Sequence, residues 1–252
     1  MTGQARRTAL ITGGSRGIGA ATATALAGRG YDIAFTYRNK AARAQEVAAT
    51  LEQRGARALP LASDMTHPDD RQQLVARLRA WTDHLDLLVL NASGGLERDL
   101  VAADPHYPFR LNRDAQLAAV ETVSPLFGPG GTIVFITSHW AHLYGHVEQM
   151  PSYEPVAASK HAGEVALRER IPALAALGIR LLVVTGDLVE GTITLKLLAR
   201  TAGKRRHERA QEALALPTTD DMGAAIVAAA TDPALPSGHT VVVGRTLASL
   251  LG

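Results

Sequence analysis

Apolar residues in this chain form short, nearly continuous runs, separated by longer stretches in which Ala and Leu recur every three to four positions. The runs at 9–11, 31–37, 58–62, 86–91, 132–137, 179–184 and 239–243 read as strands. The periodic stretches predict helices up to Leu26 and Ala27, then over 40–54, 68–81, 111–127, 155–177, 192–214 and 220–230. Gly28, Gly55 and Gly178 stand where helices should stop, and Pro155 suits a first helical turn. Residues 92–107 open as a loop at Ser93-Gly94-Gly95, and 138–154 read as a long polar loop. Apolar strands alternating with helices imply an α/β fold, with a mostly parallel sheet covered on both faces. No repeat or low-complexity linker marks a boundary, so one domain is expected over 1–252.

The first strand runs into Thr12-Gly13-Gly14-Ser15-Arg16-Gly17-Ile18-Gly19 and then a helix. Strand, glycine turn and helix in this order form the context for dinucleotide binding. Gly13 would allow the tight turn, Gly17 the approach of a pyrophosphate and Gly19 close packing of helix on sheet. The anion would sit on free N–H groups at the helix start. A free ribose 2′-hydroxyl usually meets an acid at the end of the second strand, but here that strand ends Thr36-Tyr37-Arg38. Arg38, with Arg16 in the turn, favours the 2′-phosphate of NADP(H). The competing reading leaves Arg38 and Lys40 simply solvated. Asp64 ends the third strand and is placed to accept from an adenine amino group. Asn91-Ala92-Ser93 ends the fourth, where ligands of such sheets gather.

Composition narrows the setting. The 252 residues are 46% apolar, 20% charged and 4% aromatic, with net charge +2. No strong field for nucleic acid or membrane follows from that total. Cysteine is absent, which excludes disulfides and thiolate metal sites and agrees with a cytoplasmic home. The polar stretch 1–7 lacks the apolar core of a signal peptide, and no stretch reaches the length of a membrane span.

The glycine turn, Asp64, Asn91-Ala92, Asn112, Ser138 and Lys160 fall in the order that resembles the short-chain dehydrogenase/reductase superfamily. The resemblance covers nearly the whole chain. It implies a Rossmann-type doubly wound sheet, hydride transfer from a nicotinamide cofactor and commonly a homotetramer, with a homodimer as the alternative. It places cofactor contacts on Gly13, Ser15, Arg16, Gly17, Ile18, Gly19, Arg38, Asp64, Met65, Asn91, Ala92, Ser93, Lys160 and Thr192. Ser138 falls on the substrate-orienting serine, and Asn112 where the superfamily often supports a water relay to the lysine.

Most members carry Tyr-x-x-x-Lys, but four residues before Lys160 this chain has Val156, which cannot donate a proton. Tyr153 stands seven before Lys160, a spacing that resembles the NADPH-dependent enoyl-acyl-carrier-protein reductases. The small-residue loop 91–95 and the absence of Pro-Gly after the sixth strand, here Thr185-Gly186-Asp187, point the same way. That likeness implies reduction of an unsaturated thioester on acyl carrier protein or coenzyme A, with Tyr153 donating to the enolate oxygen. One alternative is a ketone or polyketide reductase with another proton source, and another is a cofactor-binding scaffold or sensor without turnover.

Tyr144 is a second candidate donor, expected within reach of Ser138. His139, His142 and His146 have the spacing of metal ligands only on a helix, and Gly145 argues against one, so no metal is expected. The cluster Lys204-Arg205-Arg206-His207, with Arg200 and Arg209, is either a solvated helix face or a dock for an acidic carrier protein or coenzyme A phosphates.

Overall fold

The computed structural model describes residues 6–192, 194–196 and 216–251. Seven parallel strands form one sheet in the order β3-β2-β1-β4-β5-β6-β7: β1 (Arg7–Ile11), β2 (Tyr31–Tyr37), β3 (Ala58–Ala62), β4 (Leu85–Leu90), β5 (Phe127–Ser138), β6 (Arg180–Gly186) and β7 (Thr240–Val243). Successive side chains point to opposite faces, and both faces are covered. Ala9, Ile11, Leu87 and Val89 enter one core with α1 (Gly17–Ala27), α2 (Ala41–Gln53) and α10 (Thr219–Thr231). Leu10, Leu88 and Leu90 enter the other, with α3 (Pro68–Trp81) and α6 (Ala115–Val123). A strand buried on both faces has no polar side to show, which is why these segments read as unbroken apolar runs.

Two expected long helices are shorter, each for a proline. The helix expected to reach Phe127 ends at Val123, because Pro125 has no N–H to bond Glu121; a 3-10 turn over Ser124–Leu126 follows, and β5 already starts at Phe127. The expected 155–177 helix divides into α8 (Glu154–Arg168) and α9 (Ile171–Ala176), since Pro172 has no N–H for the Arg168 carbonyl. The expected loops also contain structure: α4 (Arg98–Ala103), the single turn α5 (Tyr107–Phe109) and a π turn over Arg110–Asp114 precede α6, and the short α7 (His139–His142) follows β5. The basic cluster at 204–207, with Arg200 and Arg209, and nearly all of the helix expected over 192–214 lie outside the described residues.

Strand order reverses between β1 and β4, and that switch point opens a crevice beyond their carboxyl ends. Polar groups tie the crevice together. Thr12 Oγ1 accepts from the backbone N–H of Asn91 and of Ala92, both at 2.9 Å. Asn91 Nδ2 donates back to the carbonyls of Thr12 and Gly13 at 3.0 and 3.1 Å. A Cβ on Gly19 would lie 2.5 Å from Gly13 O and 2.6 Å from Asn91 Nδ2, so α1 sits on this turn at a distance only glycine permits. Gly19→Ala should therefore cost about 1–3 kcal/mol of overpacking and distort the turn; a thermal melt matching that of the parent would refute this.

Candidate active site

The start of α1 is built for an anion. Arg16 holds the N-cap position with extended backbone and no side-chain cap, and the first turn has no acid, so the leading N–H groups keep no side-chain partner. Gly17 has φ +54°, and nothing lies within 4 Å of where its Cβ would be. The loop Thr12–Ile18, with Ser15 and Arg16, thus borders open space over the helix N-terminus, which fits a pyrophosphate.

Beyond β2 and β3, Arg38 Nη1 donates to the hydroxyl of Tyr107 at 2.6 Å. Asp64 Oδ1 accepts from Thr66 N and Oγ1. Burial pushes the Asp64 carboxyl up, but those bonds, with the charges of His67 and Arg38, outweigh it and hold the carboxyl below its ordinary value. Met65 is buried in the core, where its sulfur accepts from Ser63 Oγ at 3.5 Å. Thr192 Oγ1 donates to Val189 O and accepts from Leu195 N, binding its own turn.

Tyr153 meets Ser138 at the carboxyl end of β5 and shares one apolar cluster with Val156, and Lys160 follows along α8. Tyr153 occupies the N-cap of α8, and seven residues make about two helical turns, so Tyr153 and Lys160 project from one face. The Tyr153 hydroxyl donates to Ser138 Oγ at 3.0 Å. Tyr153 is only 5% exposed, and that burial pushes its phenol up, against the Ser138 bond. Val156, 4% exposed, belongs to a small buried cluster with Ala141, Tyr153 and Ala157, against which Leu96, Trp140, Tyr144, Met150 and Leu188 pack. Lys160, 8% exposed, donates to Ser93 Oγ at 3.3 Å and lies 6.0 Å from the Phe135 ring centroid. Burial draws its ammonium down to about 8, with the Glu164 carboxylate opposing.

The Asn112 side chain bonds the loop after β4 and α8. Its Nδ2 donates to Gly94 O and Ser159 Oγ, both at 2.9 Å, and its Oδ1 accepts from Gly94 N at 3.3 Å. The amide thus clamps the 93–95 loop to α8. Tyr144 does not make the expected reach to Ser138. Its hydroxyl lies 3.5 Å from Glu154 Oε1, and its ring stands beside His161, because α7 turns the chain before it.

The three histidines part company. His139 is fully buried, and burial pulls its imidazole down, so it is neutral. Its Nε2 faces Arg245 O, which only accepts; the proton therefore sits on Nε2, and Thr185 donates to Nδ1. His142 Nδ1 pairs with Glu164 at 2.8 Å, and His146 is exposed. Among the described residues no group of three His, Cys, Asp or Glu is placed to hold a metal ion. No described helix is long and apolar enough to cross a membrane.

Three contributors went unread in the sequence. Gln116 is buried and donates to Ala92 O at 2.7 Å, steadying the loop after β4. Arg245 pairs with Asp187 through Nε and Nη2, closing the rim beyond β6 next to Trp140. Tyr107 holds Arg38. The one available signal was a Gln on an otherwise apolar helix face; the other two contacts join residues far apart in sequence.

A family model described as short chain dehydrogenase matches residues 7–201. The chain belongs to this family. A curated relative, the 1-cyclohexenylcarbonyl-CoA reductase of Streptomyces collinus, is 29% identical over 75% of this chain and 67% of its own length. The hydroxynaphthalene reductase of Aspergillus fumigatus is 31% identical over 63% of this chain and 57% of its own. A short chain dehydrogenase from Burkholderia cenocepacia, solved in complex with NADP, superposes with TM-score 0.80 and 27% identity over 96% of this chain and 98% of that one.

Proposed function

We propose that this short-chain dehydrogenase is an NADPH-dependent reductase of the C=C bond of an α,β-unsaturated acyl thioester carried on coenzyme A or acyl carrier protein. The observation behind this reading is the bond from Tyr153 to Ser138 in a site where Val156 stands four residues before Lys160. The Tyr153 hydroxyl is set about one helical turn back from the valine, against the end of β5 at Ser138. Reduction at Cβ places the developing charge on the thioester oxygen, three bonds beyond the carbon that receives hydride. A donor set back along the helix suits that oxygen better than one beside the reacting carbon. The relative from Streptomyces collinus bears the name of a CoA-thioester reductase, which agrees.

The residues present fit NADP(H). The Gly17 opening and the uncapped start of α1 would take the pyrophosphate, and Arg38 the 2′-phosphate. Lys160 would hold ribose hydroxyls. The cofactor, once bound, supplies hydride. Tyr153 keeps its proton; with substrate bound that single O–H turns from Ser138 to the enolate oxygen, and the Ser138 hydroxyl then donates to the Tyr153 oxygen and orients it. Lys160 in its charged form strengthens that donation by its field. Val156, Leu96, Trp140 and Leu188 exclude water from the oxygen, so the donor acts in a low dielectric where it is worth most.

A ketoreductase is the second reading. The same Tyr153–Ser138 pair can polarise a carbonyl directly, and hydroxynaphthalene reductase is among the relatives. NADPH oxidation with a crotonyl-type thioester beside a panel of ring ketones separates the two. Turnover of the thioester that collapses in Tyr153→Phe supports the first reading; turnover of ketones alone replaces it with the second. Tight NADPH binding with neither turnover points to a scaffold.

Cofactor choice gives its own test. Arg38→Ala should weaken NADPH about 10- to 100-fold and leave NADH within about twofold, the worth of charge-assisted bonds to one phosphate. An unchanged ratio of the two dissociation constants would reject Arg38 as the phosphate ligand.

A further inference from the structure

The contact between Arg38 and Tyr107 has no place in the chemistry above, yet it joins the two ends of the site. Tyr107 is 5% exposed and sits in the core beneath β1–β3, with Leu61, Met65 and Leu111. Its phenol is pushed up by burial and then by the Glu97 carboxylate, with Arg38 opposing, so the hydroxyl is neutral and accepts from Arg38 Nη1. A guanidinium has five N–H donors in a rigid fork, and this contact takes one on Nη1. Among the described residues nothing bonds the Nε and Nη2 edge, which can take a bidentate partner. A long, exposed arginine loses rotamer freedom when it binds, and an anchored one loses less.

We propose that Tyr107 is a positioning residue for cofactor choice: it holds the Arg38 guanidinium in the orientation that takes a ribose 2′-phosphate. This rests on the assignment of Arg38 to that phosphate. Tyr107 is itself held from the reaction end of the site. Gly95 packs so closely on Pro108 that a Cβ there would lie 3.0 Å from the proline ring, and Gly95 N donates to Glu97 at 2.7 Å. The next residue back but one, Ser93, receives the Lys160 ammonium. The anchor of Arg38 is therefore fixed by the same short segment that faces the catalytic lysine.

The test is direct titration of NADPH and NADH against the full-length parent, Tyr107→Phe, Arg38→Ala and the double variant, read by nicotinamide fluorescence without substrate. Tyr107→Phe should weaken NADPH about five- to tenfold and NADH less than twofold. In the Arg38→Ala background the same change should have no further effect on NADPH. Equal weakening of both cofactors by Tyr107→Phe would mean a structural role only and overturns the proposal. Tighter NADPH binding would mean that Tyr107 competes for Arg38, and overturns it too. If Arg38→Ala leaves the ratio of the two cofactors unchanged, the phosphate assignment itself fails. If Arg38→Ala collapses that ratio while Tyr107→Phe leaves it intact, only the positioning role fails.

Discussion

Tyr153→Phe should lower kcat on an enoyl thioester about 10²- to 10³-fold with KM changed by no more than about threefold, the signature of a donor that acts chiefly in the transition state. The substitution removes one oxygen and keeps the ring that packs against Val156 and Ala157. Its structural cost is one hydrogen bond to Ser138, about 1 kcal/mol, so the variant should fold. Ser138→Ala should be milder, about tenfold, because Ser138 orients Tyr153 and does not itself donate to the substrate oxygen. The pH profile separates the donor from its neighbour. Burial holds the Tyr153 phenol above its ordinary value, so it remains a donor through neutral and mildly alkaline solution. The Lys160 ammonium is drawn down to about 8, so kcat/KM should fall as pH rises through about 8 from loss of the lysine charge. A Tyr153→Phe variant as fast as the parent would remove Tyr153 from the mechanism.

The sheet was legible because parallel strands buried on both faces have no freedom in their patterning. β2 and β3 carry the expected bounds, and β5 exceeds its expectation by the glycine-rich stretch that precedes Thr132. The glycine turn was legible because each glycine answers a local demand, as the contact of Gly19 with Gly13 O shows. The two helix ends were legible in principle. Pro125 and Pro172 carried the signal, and helical periodicity on both sides masked it. The polar ties were not legible. Arg38 and Tyr107 are 69 residues apart, and Asp187 and Arg245 are 58 apart; neither pair has a periodic pattern to announce it. The error over Tyr144 has the same root. An extended polar loop would let it reach Ser138, but Ser138 caps the short α7 through Ala141 N and turns the chain aside.

Lys160→Met should abolish turnover and yet make the cofactor-free protein more stable at pH 7. Lys160 is buried, with one hydrogen bond at 3.3 Å, so folding removes its ammonium from water with little return. Its folded value of about 8 lies below the ordinary 10.5, a depressed cation. Below about 8 both folded and unfolded chains hold the proton, and the folded state bears the full penalty. Between about 8 and 10.5 the unfolded chain binds more protons than the folded one, so stability from this group rises with pH. A shift of this size corresponds to about 3 kcal/mol at neutral pH. Methionine keeps the stem volume and has no charge to desolvate, so Tm at pH 7 should rise by about 6–12 °C for a domain of this size. The gain should shrink towards pH 10.5. Added NADPH should raise Tm less in Lys160→Met than in the parent, because the ribose hydroxyls lose their cation. A lysine kept in this place at such a cost to the fold is kept for what it holds. A Lys160→Met melt below that of the parent at pH 7 would mean instead that Ser93 and Glu164 repay the burial in full, and that the lysine is part of the scaffold.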